Sequence, residues 1–158
     1  MSLLPFFEWL ETSPLGQLAK SYGGVYATAQ SIHLVSLALL GGTVIVTDLR
    51  LLNVMLRDVP SEVVVEAAHK WFKVGLTVIM ISGVFMVAGV AQKAYFNAFY
   101  WAKMLALAVG IVFVFAIKRP LLRQAHQQIN PLTLKLVALA SLTVWFTVAA
   151  CGRWIGFS

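Results

Sequence analysis

The stretch SIHLVSLALLGGTVIVTDLR, residues 31–50, is long and apolar enough to cross a lipid bilayer, yet it holds a histidine near one end and an aspartate near the other. Polar groups inside hydrocarbon are costly, and ionised ones more so. His33 and Asp48 therefore call for partners on other segments.

The whole chain supports reading that stretch as a membrane helix. Its 158 residues are 60% hydrophobic and 11% charged, with a mean hydropathy of +0.85. Soluble domains run at roughly 45–50% apolar and about 25% charged, so the apolar surplus exceeds what one soluble core of this length can hide. Four segments reach the ~20 residues that a spanning helix needs: about 28–49, 71–91, 98–117 and 134–152. Helices satisfy their own backbone groups in lipid, which isolated strands do not. Pro60, Pro120 and Pro131 fall in the connections after the first and third segments, while QKAYFNAF makes a short turn between the second and third. The expected fold is an all-α integral membrane protein, a four-transmembrane-helix bundle formed by residues 25–158.

Residues 1–24 form a separate segment. They lack the basic start of a cleavable signal, carry Glu8 and Glu11, and are interrupted by Pro5 and Pro14. Leu3, Leu4, Phe6, Phe7, Trp9 and Leu10 supply an apolar surface. Ser13 before Pro14 reads as a helix start. The expectation is two short amphipathic helices lying in the membrane interface, joined to the bundle by a flexible Gly23-Gly24 hinge.

Lysine and arginine placement sets the expected orientation. Arg50, Arg57, Lys70, Lys73, Lys118, Arg119, Arg123 and Lys135 flank one side; Lys20, Lys93, Lys103 and Arg153 flank the other. The richer side is expected in the cytoplasm and both termini in the periplasm, in a bacterial inner membrane. The basic residues form no stripe, which argues against nucleic acid despite a net charge of +6. A single cysteine, Cys151, excludes an internal disulfide framework and a CxxC metal site. No HExxH, GxSxG, P-loop or dinucleotide fingerprint occurs.

Helical periodicity puts His33 on one face of the first span with Gln30, Ser36, Gly41, Thr47 and Asp48, opposite Leu34, Val35, Ala38, Leu39, Gly42, Ile45 and Val46. His33 then points into the bundle, roughly 7–8 Å below its outer edge. Lys103 lies at a similar depth in the third span, and Arg153 at the rim of the fourth. These three can converge on an outward-facing pocket walled by Trp101 and Trp154. Such a site suits an anion, or a planar cofactor with carboxylates. Imidazole is a natural axial ligand for haem iron, and Lys103 and Arg153 can pair with propionates. Haem b is thus the leading cofactor expectation, with Met104 or Met86 as sixth ligand or a five-coordinate iron. Each residue also has a plain reading: a hydrogen-bonded core histidine, a snorkelling lysine, an end-of-helix arginine. Asp48 reads as a clamp at the inner end, with Arg50, Lys70, Lys73 and Arg119 within reach. A metal between His69 and His126 is a weaker expectation. Ala106 and Gly110, four apart, allow close helix contact and a homodimer.

The stretches WLETSPLGQLAKS (9–21), IHLVSLALLGGTVIVTDLRLL (32–52), YFNAFYWAKML (95–105) and LTVWFTVAACGRWIGF (142–157) resemble a family of small bacterial four-helix membrane proteins classed as a domain of unknown function. His33, Gly41, Asp48-Leu49-Arg50, Asn97, Phe99, Lys103, Gly152 and Arg153 carry the resemblance. Asn53 stands where that pattern leads one to expect glycine. The resemblance implies fold and location, not activity. More loosely, a first-helix histidine and a later-helix lysine are similar to haem-associated membrane protoporphyrinogen oxidases and to copper-resistance proteins of the D type. That similarity implies haem, porphyrin or copper as ligand classes. Copper ranks below haem because Met86, Met104 and Cys151 are not gathered in one motif. Two roles stay open: a haem-binding electron-transfer component working with quinone or a redox partner, and a cofactor-free accessory subunit. A small transporter is a third.

Overall fold

The computed structural model describes residues 3–123 and 129–157, and every regular element among them is helical. The chain runs α1 (Leu4–Thr12), α2 (Pro14–Ser21), α3 (Gly23–Leu51), α4 (Ser61–Gly89), α5 (Ala91–Tyr95), α6 (Ala98–Val112), a π-helical segment (Phe113–Lys118), α7 (Arg119–Arg123) and α8 (Pro131–Trp154). Four stretches are long and apolar enough to cross a membrane: Gly23–Leu51, Ser61–Gly89, Ala98–Leu122 and Pro131–Trp154. His126 lies outside the described residues.

Capping decides where these helices end, and it moves them beyond the apolar runs. Ser13 caps α2, its Oγ accepting from the Gly16 N–H at 3.3 Å. The break before the first span falls at Tyr22, whose backbone is extended (φ −141°, ψ 132°), and Gly23 and Gly24 already belong to α3. The expected glycine hinge is instead the first turn of a helix. At its far end, α3 closes with Asn53 at φ 59°. The Val54 N–H bonds the Leu49 carbonyl and the Asn53 N–H bonds the Arg50 carbonyl, each at 3.0 Å, the pattern of a left-handed helix stop. Asparagine tolerates this conformation better than other side-chain-bearing residues, which explains why it can stand where glycine is expected.

Pro120 does not end the third span. It lacks the N–H for an intrahelical bond and its ring crowds the carbonyl four residues back. The helix widens rather than stopping: the Arg119 N–H reaches the Val114 carbonyl, five residues back, at the end of the π-helical segment. The third span therefore continues to Leu122 and carries Lys118 inside the bundle rather than into a loop.

Helix α3 lies between α4 and α8, and α8 packs on α6. Leu40, Val44, Phe72, Ile79, Leu107, Val114, Trp145 and Val148 form the core. At the α3–α4 crossing Gly75 lets the backbones meet, since a Cβ there would lie 3.2 Å from the Leu40 backbone nitrogen. Gly110 serves α6–α8 in the same way, against Val144 and Trp145. Leu34, Val35, Ile81, Leu105, Val112 and Phe146 stand outward, each more than half exposed. So large an exposed apolar surface matches a lipid-facing exterior. The predicted inward face of α3 is buried at Ser36, Thr47 and Asp48.

One end of the bundle, called here the termini end, holds α1, α2, α5, the start of α3 and α6, and the end of α8. Phe7 of α1 is buried there among Tyr95, Tyr100 and Trp101. Glu11 ties α1 to both neighbours, accepting from the Gln92 N–H at 2.7 Å and from Lys20 at 2.5 Å. The N-terminal segment is thus docked on the bundle. The opposite end carries residues 52–60 and the ends of α7 and α8, and is called the connection end.

Candidate functional site

At the termini end, α3 sets the His33 ring against α4. Ser82 Oγ lies 2.8 Å from His33 Nδ1 and donates its proton to the Val78 carbonyl at 2.6 Å. A hydroxyl has one proton. With that proton on Val78, it is the Nδ1–H of His33 that donates to Ser82, and in the neutral ring Nε2 then carries the lone pair. Gly83 leaves room for the ring edge, with an added Cβ reaching 3.5 Å from Cε1.

Lys103, in the second turn of α6, faces the same region. Asn97 fixes that helix start: its Oδ1 accepts from the Phe99 and Tyr100 N–H groups at 2.9 and 3.3 Å, and its Nδ2 donates to the Ile155 carbonyl at 3.5 Å. The lysine stem consequently crosses Gly152 of α8, where a Cβ would sit 3.4 Å from Nζ. His33 and Lys103 are near enough for their charges to interact. Lys103 makes no ion pair or hydrogen bond with any described residue.

The other residues expected at this site lie elsewhere. Arg153 is exposed and rests over the Phe157 ring, 4.5 Å from its centroid. Met104 is 37% exposed and belongs to the outward surface. Trp101 donates Nε1–H to the Tyr95 carbonyl at 2.8 Å and packs on Phe7, which makes it part of the N-terminal anchor. Trp154 stacks on Phe99. Of the expected site residues, His33 and Lys103 stand within electrostatic range of each other. Gly152, already singled out by the family resemblance, seats Lys103. Ser82, the partner of His33, is the residue the sequence did not point to. Among the described residues no group of three His, Cys, Asp or Glu side chains is placed to hold a metal.

Toward the connection end, Asp48 is fully buried, and its partner is none of the cations expected. Lys118 Nζ donates to Asp48 Oδ1 at 2.5 Å, to Ser141 Oγ at 3.2 Å and to Thr47 Oγ1 at 3.3 Å. One ammonium thereby joins α3, the third span and α8. Arg50 turns instead to the following loop, its Nε donating to the Val59 carbonyl at 2.8 Å. Beside the clamp, a cavity of about 620 Å³ opens between α3, α4 and the third span, lined by Thr47, His69, Phe72, Val114, Lys118 and Leu122 among others. The His69 ring lies 5.9 Å from Phe115 and 6.4 Å from Phe72, bridging the gap between α4 and the third span.

A family model described as "Family of unknown function (DUF6644)" matches residues 6–158, almost the entire chain and both of these sites. The chain belongs to the DUF6644 family. No curated protein and no solved structure matches it. Membership in DUF6644 brings neither haem nor copper with it. The geometry does give the motif residues of this family member separate tasks. Asp48 anchors the interhelical clamp, Arg50 fastens the loop, Asn97 caps α6, and Gly152 seats Lys103.

Proposed function

We propose that this DUF6644 protein is a multi-pass protein of the bacterial inner membrane that binds an acid-bearing ligand between His33 and Lys103, on the periplasmic side. The orientation rests on cations. With Lys118 internal, Arg50, Arg57, Lys70, Lys73, Arg119, Arg123 and Lys135 still outnumber Lys20, Lys93, Lys103 and Arg153.

The observation that carries the ligand is the contrast between two lysines. Lys118 has a carboxylate and two hydroxyls for its ammonium. Lys103 lies within a spanning helix and has no partner among the described residues. An uncompensated charge at such a position is expensive and marks a functional site. A neutral imidazole beside it, with Nε2 unprotonated, leaves the cation's field open to an incoming acid.

Haem b is the specific ligand that would use both groups. His33 Nε2 would take the iron and Lys103 a propionate, and the bound haem would supply one-electron chemistry. Ser82 gives the histidine the orienting partner that metal-bound imidazoles need. Arg153 and Met104 take no part in this arrangement.

The test is the reduced-minus-oxidised visible spectrum of detergent-purified wild type, His33→Ala and Lys103→Gln, with mass spectrometry of small molecules extracted from each. A Soret band lost in His33→Ala supports haem. An acidic compound that co-purifies with a colourless wild type and is lost from Lys103→Gln supports the site with another ligand. Identical extracts from all three proteins refute the site and favour a cofactor-free accessory subunit, in which the His33–Ser82 bond is a packing contact.

A further inference from the structure

The cavity at the connection end has a construction unlike that of the His33–Lys103 site. Its buried walls are mostly apolar, formed by Val44, Phe72, Val114 and Leu122, with Thr47, the clamp lysine Lys118 and the half-buried His69 among them. Its rim carries Lys70 and Lys73 from α4 and Arg119 from α7. The two sides of the opening therefore present cations toward a shared space. None of the three makes an ion pair or a side-chain hydrogen bond with a described residue. Glu62 and Glu66 also face the cavity, and the adjoining Lys118 is neutralised by Asp48, so rim cations outnumber rim carboxylates.

Depth completes the picture. Helix α4 has 29 residues, about 43 Å at 1.5 Å per residue, against a hydrocarbon thickness near 30 Å. Its first turns, rich in charge, therefore extend into the headgroup layer, and the opening lies where the apolar run begins. A mostly apolar interior below a rim richer in cations than carboxylates matches, at that level, an amphipathic molecule bearing a phosphate. Arginine and lysine hold phosphate oxygens through charge-assisted hydrogen bonds, and basic pockets between membrane helices are recurrent headgroup sites.

We infer that this cavity binds a phosphate group carried on an amphipathic molecule, held by Lys70, Lys73 and Arg119 with its apolar part against Phe72, Val114 and Leu122. A phospholipid of the adjoining leaflet supplies both halves. A free phosphate supplies only the charged one.

The experiment is native mass spectrometry of the full-length protein in detergent, titrated with phosphatidylglycerol, with uncharged diacylglycerol, and with phosphatidylglycerol in the presence of inorganic phosphate. Wild type is compared with a K70Q/K73Q/R119Q triple variant and with Lys135→Gln, which removes an exposed cation of the same end that does not line the cavity. Thermal unfolding checks that each variant is folded. Lys73→Gln alone replaces the triple variant if that one is not. Phosphatidylglycerol retention is expected to fall about a hundredfold in the triple variant, or about fivefold in Lys73→Gln, and to stay unchanged in Lys135→Gln. Bound lipid that resists millimolar inorganic phosphate supports the inference, and lipid displaced by it keeps the phosphate site but overturns the amphipathic occupant. Equal retention by wild type and the folded variant, or diacylglycerol bound as well as phosphatidylglycerol, overturns the inference.

Discussion

Lys118 Nζ sits 2.5 Å from Asp48 Oδ1, and the same ammonium also bonds Thr47 and Ser141. Seventy residues separate the pair in sequence, so this single group registers three helices against one another. Removing one member of a buried pair strands the other charge, which costs about 3–5 kcal/mol, whereas replacing both with apolar residues is often neutral. Lys118→Met and Asp48→Leu are each expected to lower unfolding stability in detergent by that amount. The double variant is expected to be more stable than either single one. Single variants that unfold like wild type would contradict the clamp.

At the other end, Glu11 is held below its ordinary carboxylate range, chiefly by the Gln92 N–H and then by Lys20. A depressed folded-state value contributes stability above the unfolded value, and that contribution is lost as pH falls through the folded one. Docking of α1 on α5 should therefore weaken once the pH drops below the ordinary glutamate range near 4.5. Hydrogen exchange of residues 4–12 should rise there in wild type. In Glu11→Gln it should already be raised at neutral pH and respond less to acid. An acid response of equal size in both proteins would assign it to another group.

The helix stop at Asn53 predicts an ordered pair of substitutions. Asn53→Gly keeps the left-handed backbone without a Cβ and should be neutral or slightly stabilising. Asn53→Val forces a β-branched residue to φ 59° and should cost roughly 1–2 kcal/mol. Denaturant titration of the two variants side by side checks the order.

Gly75 lies at a close approach of α4 to α3. Any side chain there meets backbone at Leu40 and Ser36, which cannot rotate away as a side-chain tip can. Gly75→Val should destabilise by about 1–3 kcal/mol through overpacking, while Gly42→Val on the open face of α3, where a Cβ meets nothing, should be nearly silent. Equal melting temperatures for the two would refute the close crossing.

Much of this architecture is legible in a single sequence through a one-dimensional rule: long apolar runs become helices, and the polar residues within them turn inward. Ser36, Thr47 and Asp48 follow that rule. Pairing between helices does not, because it depends on axial offset and rotation. Lys118 reads as a loop cation because Arg119-Pro120 follows it, and only the π-helical widening carries it inward. The partner of Asp48 is therefore invisible to any reading of α3 alone. The Ser82 contact of His33 lies 49 residues away. Arg153 and Met104 stand on exposed faces, a property decided by how α6 and α8 pack. A lone serine in an apolar run, as at Ser82 and Ser141, is the signal that was present in the sequence and carried no address.

Ser82 offers the sharpest separation of packing from positioning. Its hydroxyl is bonded to its own helix and accepts from His33, which holds the ring with Nε2 available. Ser82→Ala removes that acceptor but keeps the bundle's volume almost intact, so stability should fall by only about 1 kcal/mol. Ligand retention should fall further, by about 10–100-fold, as with other partners that orient metal-binding or acid-binding imidazoles. The measurement is ligand retained per protein after purification, read by extraction or, for haem, by Soret absorbance, alongside the melting temperature. A variant that melts near wild type but loses ligand makes Ser82 a positioning residue. One that loses several kcal/mol and no ligand makes the His33–Ser82 bond part of the core.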